Sequence, residues 1–121
     1  MIVKCVELRD CSKGSEYGSF WLSSDEKHAM SNQLRRASVS ITSNIAEGVN
    51  RYSVKDKSHF IEMSYGSLME VSSQFEIAEE LGYITTEERM SMDQLIEEEA
   101  RLLSGLQNSY KQSTMSTDSK R

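Results

Sequence analysis

The sequence predicts an all-α protein: an antiparallel, up-down four-helix bundle whose first helix is short or irregular. Three observations carry this. Apolar residues recur every three or four positions over three long stretches, the period of one helix face. The two-residue alternation of a half-buried strand is hard to find. Proline, the strongest helix breaker, is absent from all 121 residues. A chain of this length makes one domain, over residues 1–110, followed by a polar tail.

Residues 1–23 hold the weakest signal. Val3, Val6 and Leu8 can begin a short helix, but Gly14 and Gly18 interrupt it, and Ser12, Ser15 and Ser19 add turn character. Tyr17, Phe20, Trp21 and Leu22 then form an aromatic cluster. It is expected to plug the end of the bundle; a binding surface around Trp21 is the alternative.

The next helix is predicted over 25–47. Met30, Leu34, Ala37, Ile41 and Ile45 form its apolar stripe. Ser24 can cap its start, and Asp25 and Glu26 suit the positive end of the helix dipole. Gly48 stands where a left-handed terminal residue is expected.

A third helix is predicted over 54–81. Ser53 with Asp56 makes a capping-box-like start, and Gly82 a stop. Phe60, Ser64, Ser67, Leu68, Val71, Phe75, Ala78 and Leu81 face one way. Gly66 costs about 1 kcal/mol against Ala in a helix interior. Together with Ser64 and Ser67 it suggests close approach of another helix.

The last helix is predicted over 86–110. Thr85 with Glu88 forms a capping box, and Met92, Leu95, Ile96, Leu102, Leu103, Leu106 and Tyr110 give the apolar face. Glu97, Glu98 and Glu99 are consecutive, so they spread around the helix as solvated surface. Residues 111–121, KQSTMSTDSKR, are expected to be a disordered polar tail.

A polar row runs beside the apolar stripe of the 25–47 helix. Arg36, Ser40, Asn44 and Glu47 are spaced 4, 4 and 3. A solvated face is one reading. A partly buried ladder that sets helix register or subunit packing is the other. The small polar residues favour the ladder, because exposed helix faces usually carry better helix formers than Ser and Asn. Ser67 and Glu70 on the next helix can join it.

QLRRA, SI and NIAEG within residues 33–48, with FIEMSYGSLME over 60–70, resemble the four-helix-bundle family of the 23S rRNA intervening-sequence proteins. The accessory variability determinants of diversity-generating retroelements are relatives of that family. The resemblance spans about residues 24–110. It implies an antiparallel helical bundle, often a homopentameric ring, and no known enzymatic activity. The retroelement members are similar to RNA- and reverse-transcriptase-binding accessory subunits. The family often has a proline between SI and NIAEG; this chain has Thr42 there. The resemblance also implies that Glu70, in a G-S-x-x-E block, pairs with NIAEG.

Composition narrows the function. No stretch of 18 apolar residues spans a membrane, and no signal peptide opens the sequence, so a cytoplasmic protein is expected. Cys5 and Cys11 are expected as reduced thiols and lack partners for a zinc site. A di-iron bundle needs Glu-x-x-His on two helices; His59 precedes Glu62, the reverse order, and His28 has no Glu three before it. No motif surrounds either histidine, and no Gly-rich loop joins a strand to a helix. A non-enzymatic protein without a cofactor is therefore expected.

The net charge of −5 hides an asymmetry. Residues 27–59 carry six basic and two acidic residues; residues 60–110 carry two basic and eleven acidic. Overall acidity argues against general coating of nucleic acid, while a local basic face stands. Arg35, Arg51, Tyr52, Lys55 and Lys57 are the candidate nucleic-acid contacts, the last four around the turn between two helices. Ordinary solubility charge is the competing reading. Arg36, Ser40, Asn44, Glu47, Ser67 and Glu70 are the candidate polar network or oligomer interface. The expected partner is the chain itself, in a homo-oligomeric and, by the resemblance, pentameric ring; RNA or a reverse transcriptase is the alternative.

Overall fold

A computed structural model describes residues 24–118, with side chains over 26–113. The described residues form three helices: α1 (Ser24–Val49), α2 (Val54–Glu80) and α3 (Thr86–Asp118). The predicted first helix, the aromatic cluster and both cysteines lie outside the described residues, as do the side chains of Ser24 and Asp25. The described residues are all-helical and give three of the four helices expected.

Each helix turns back along its predecessor, with α2 in the middle, packed against α1 on one side and α3 on another. Cross-helix contacts fix the antiparallel sense. Lys27 near the start of α1 lies over the ring of Tyr83, just past the end of α2, 5.5 Å from its centroid. Gly48, near the end of α1, meets Phe60 near the start of α2. Arg89 of α3 pairs with Glu79 of α2, while Gln107 reaches Glu62 at the other end.

The core is one cluster shared by all three helices. Leu34, Ala37 and Ile41 come from α1, Ile61, Leu68, Val71 and Phe75 from α2, and Ile96 and Leu103 from α3. Phe75, Ile61, Leu68 and Val71 are essentially inaccessible. Met30 and Ile45, the ends of the predicted α1 stripe, are only partly buried against it. Three positions differ from the periodicity reading. Ile61, not Phe60, is the buried residue of the first turns of α2, because Phe60 is turned toward Gly48. Leu102 is 63% exposed and Leu81 40%. One residue is about 100° of helix, so with Leu103 facing α2, Leu102 points away from it.

The helix ends follow local chemistry. Ser53 accepts from the Asp56 amide at 3.4 Å and caps α2. At the other end Gly82 has φ 74°, the Tyr83 amide donates to the Ala78 carbonyl and the Gly82 amide to Glu79. This is a Schellman stop, and the left-handed backbone needs glycine. Thr85 and Glu88 form the capping box of α3 reciprocally, at 2.8 and 3.2 Å.

Three expectations are corrected. Gly48 is not left-handed; α1 runs through it to Val49, and Gly48 is buried against α2. Gly66 is exposed, and a Cβ built there meets nothing within 4 Å, so no helix of the described residues approaches it. The stretch expected to be a disordered tail from Lys111 is helical as far as Asp118. No proline or glycine stands between Tyr110 and Asp118 to end the helix. No described helix is long and apolar enough to cross a membrane.

Candidate functional site

The polar row predicted on α1 divides in two. Its middle is a true link between helices. The Ser40 and Ser67 hydroxyls lie 2.9 Å apart across the α1–α2 seam. Asn44 donates to the Ser40 carbonyl at 2.8 Å and to the Ser40 hydroxyl at 3.1 Å. Ser67 also bonds the Met63 carbonyl one turn back, at 3.2 Å. Serine suits this seam because it is small enough for close helix packing and carries its own donor.

The ends of the row do not join. Glu47 pairs with Arg51, four residues on in the turn that follows α1, both half exposed. Arg36 is exposed and has no hydrogen-bond or carboxylate partner among the described residues. Glu70 accepts from Gln74 at 3.2 Å instead of reaching α1. Periodicity gave the seam but could not tell which polar residue turns inward.

Three buried polar residues lie beyond the predicted set. Ser64 is fully buried and lies 3.1 Å from both the Ile41 carbonyl of α1 and the Phe60 carbonyl of its own helix. Ser38 is buried and donates to the Leu34 carbonyl at 2.8 Å. Gln74 is 7% exposed; its Nε2 is used, and its Oε1 has no partner among the described residues. The signal for Gln74 was its place four after Glu70, on the edge of the α2 stripe.

The predicted basic site gathers in part. Arg51, Tyr52, Lys55 and Lys57 cluster at the α1–α2 turn, while Arg35 lies some four turns away, about 24 Å along α1. Arg35 donates to Asn32 at 3.2 Å. Arg51 lies over the Phe60 ring at 5.0 Å and Lys57 over the Tyr110 ring at 5.1 Å, so each cation is held by an aromatic face. Tyr52 is wholly exposed and Lys55 is exposed. Arg35, Arg36, Val39 and Ser40 line a shallow, open depression on α1.

Among the described residues no group of three His, Cys, Asp or Glu can hold a metal ion. Among the described residues Tyr83 has a displaced pKa: burial, with the Glu26 carboxylate, raises it above 10.0. Its hydroxyl has no hydrogen-bond partner among the described residues.

The seam residues lie in the part of the chain where a family comparison decides. The model of the 23S rRNA-intervening sequence proteins matches residues 19–105. The chain belongs to that family. The match takes in all of α1 and α2 and most of α3, so the Ser40–Ser67 seam and the basic turn both lie within the family's domain. A search of individually curated proteins found no match.

Proposed function

We propose that this member of the family is a non-enzymatic, cytoplasmic interaction protein that assembles with copies of itself into a ring. Five subunits is the number the family resemblance implies. The observation that carries the reading is apolar surface left over after the core is built. Val39 on α1, Met63 and Ile77 on α2, and Leu81 at the C-cap of α2 are 40–58% exposed, on helices already packed through other faces. Ordered helices whose outer faces remain apolar suit a subunit better than a solitary domain. The exposed Leu102 of α3 supports a further neighbour.

The second reading is an RNA-binding accessory subunit acting with ribosomal RNA or a reverse transcriptase. The fully exposed Tyr52 beside Arg51 and Lys55 supports it, as a stacking face next to phosphate-binding cations. Light scattering behind size exclusion at low salt, with absorbance at 260 and 280 nm, tests both. A ring mass free of nucleic acid supports the first reading. A ring with excess 260 nm absorbance that is lost at high salt supports the second. RNA binding that survives Arg51→Glu, Lys55→Glu and Lys57→Glu together removes the second reading. A protomer mass at micromolar concentration removes the first.

A further inference from the structure

We propose that the ring contact is heterologous: the outer face of α1 in one copy packs on the outer face of α2 in the next. The inference rests on the self-assembly reading and names its two surfaces. Residues 27–46 of α1 contain Lys27, Arg35 and Arg36 and no Asp or Glu. From Ser58 to the end of α2 the reverse holds: there are five glutamates and no Lys or Arg. Neither bias is needed to pack α1 on α2, which is done by the core and the serine seam.

The two outer faces match in shape as well as in charge. Val39 is 58% exposed between Arg35 and Arg36, at the shallow depression on α1, with the small exposed Ser43 and Ala46 further along. On α2, Met63, Gly66, Glu70, Ser73 and Ile77 are spaced 3, 4, 3 and 4, one exposed stripe on the side away from the core. Met63 and Ile77 supply apolar knobs, and Glu70 sits between them to meet an arginine. Gly66 allows a helix to come close to this stripe. Because the two faces differ, each copy carries one of each. Such head-to-tail contacts close into rings when the rotation per subunit allows.

Charge reversal on one face at a time tests this. The basic-face variant is Arg35→Glu with Arg36→Glu, and the acidic-face variant is Glu70→Lys with Glu80→Lys. Circular dichroism confirms folding, and light scattering reads the mass. Each variant alone is expected to fall to the protomer mass. Mixed in equal amounts, the two are expected to assemble again in alternation, to masses above the protomer, because both faces of each variant complement the faces of the other. A chain carrying all four substitutions is expected to regain the ring. A wild-type ring that survives both single-face variants overturns the face assignment and leaves the assembly reading standing; the two faces then belong to another partner. A wild-type monomer overturns both. Loss of mass in each variant without recovery in the mixture or in the fourfold chain overturns the heterologous pairing.

Discussion

Gly48 of α1 lies so close to Phe60 of α2 that a Cβ built on it would stand 2.8 Å from the Phe60 Cβ. Real Cβ atoms do not come that close, and the neighbour is the root of a side chain rather than its flexible tip. Gly48→Ala therefore has to spread the two helices where the α1–α2 turn begins. Overpacking costs about 1–3 kcal/mol, more than the gain in helix propensity of up to about 1 kcal/mol. We expect a net loss of about 1 kcal/mol, read as a lower urea midpoint at unchanged slope. An unchanged or higher midpoint would show that the seam opens freely.

Gly105 supplies the opposite case on α3. It is exposed, helical, and a Cβ there meets nothing within 4 Å. Gly105→Ala should gain about 1 kcal/mol from helix propensity alone. The same substitution thus changes sign between positions 48 and 105, and thermal or urea unfolding of the two variants side by side checks it.

Gly48 also shows what periodicity can and cannot read. The helical stripes were legible because burial of an amphipathic face imposes its own period: Leu34, Ala37, Ile41, Leu68, Val71, Phe75, Ile96 and Leu103 are all buried as that period requires. Caps were legible because Ser53, Thr85 with Glu88, and Gly82 satisfy local backbone groups. The role of Gly48 was not, since a glycine near a helix end reads the same whether it provides a turn or a close approach. Phe60 and Ile61 are adjacent and both large, so only the roll of α2 decides which is buried. In the candidate site, Ser40, Asn44 and Ser67 were found from spacing. Arg36 and Glu70 were assigned to the same seam because sequence gives the side of a helix but not the reach of a long side chain.

The Ser40–Ser67 contact should be a true coupling. A hydrogen bond of this kind contributes about 0.5–1.5 kcal/mol net, and contacting residues are not additive. We expect a double-mutant cycle with Ser40→Ala and Ser67→Ala to give a coupling of about 1 kcal/mol in urea unfolding. Additive single losses would mean that each hydroxyl is satisfied by its other partners, the Asn44 amide for Ser40 and the Met63 carbonyl for Ser67.

The capping box sets how firmly α3 begins. Thr85 accepts from the Glu88 amide while Glu88 accepts from the Thr85 amide. Thr85→Ala removes the first of these and should cost about 1 kcal/mol, the usual loss for an N-cap. Hydrogen exchange should localise the change to the first turn of α3. A loss spread evenly over α1 and α2 would contradict a local cap.

Tyr83 links stability to alkaline pH. Burial, assisted by the Glu26 carboxylate, raises its pKa above the unfolded value of 10.0. The unfolded chain therefore loses this proton at a lower pH than the folded one. Its contribution is fully present below about pH 10 and is lost as the pH rises through the folded pKa. Tyr83→Phe removes that dependence and also the unpartnered buried hydroxyl, while an aromatic ring remains under Lys27. At neutral pH the variant should be as stable as the parent, or more stable by about 1 kcal/mol, because a buried hydroxyl without a partner is unfavourable. Urea midpoints of parent and variant, compared from about pH 8 to about pH 11, isolate Tyr83 from the other tyrosines and lysines. The gap should widen in favour of Tyr83→Phe above about pH 10. A constant gap across the range would mean that the folded protein lets Tyr83 ionise as readily as the unfolded chain does.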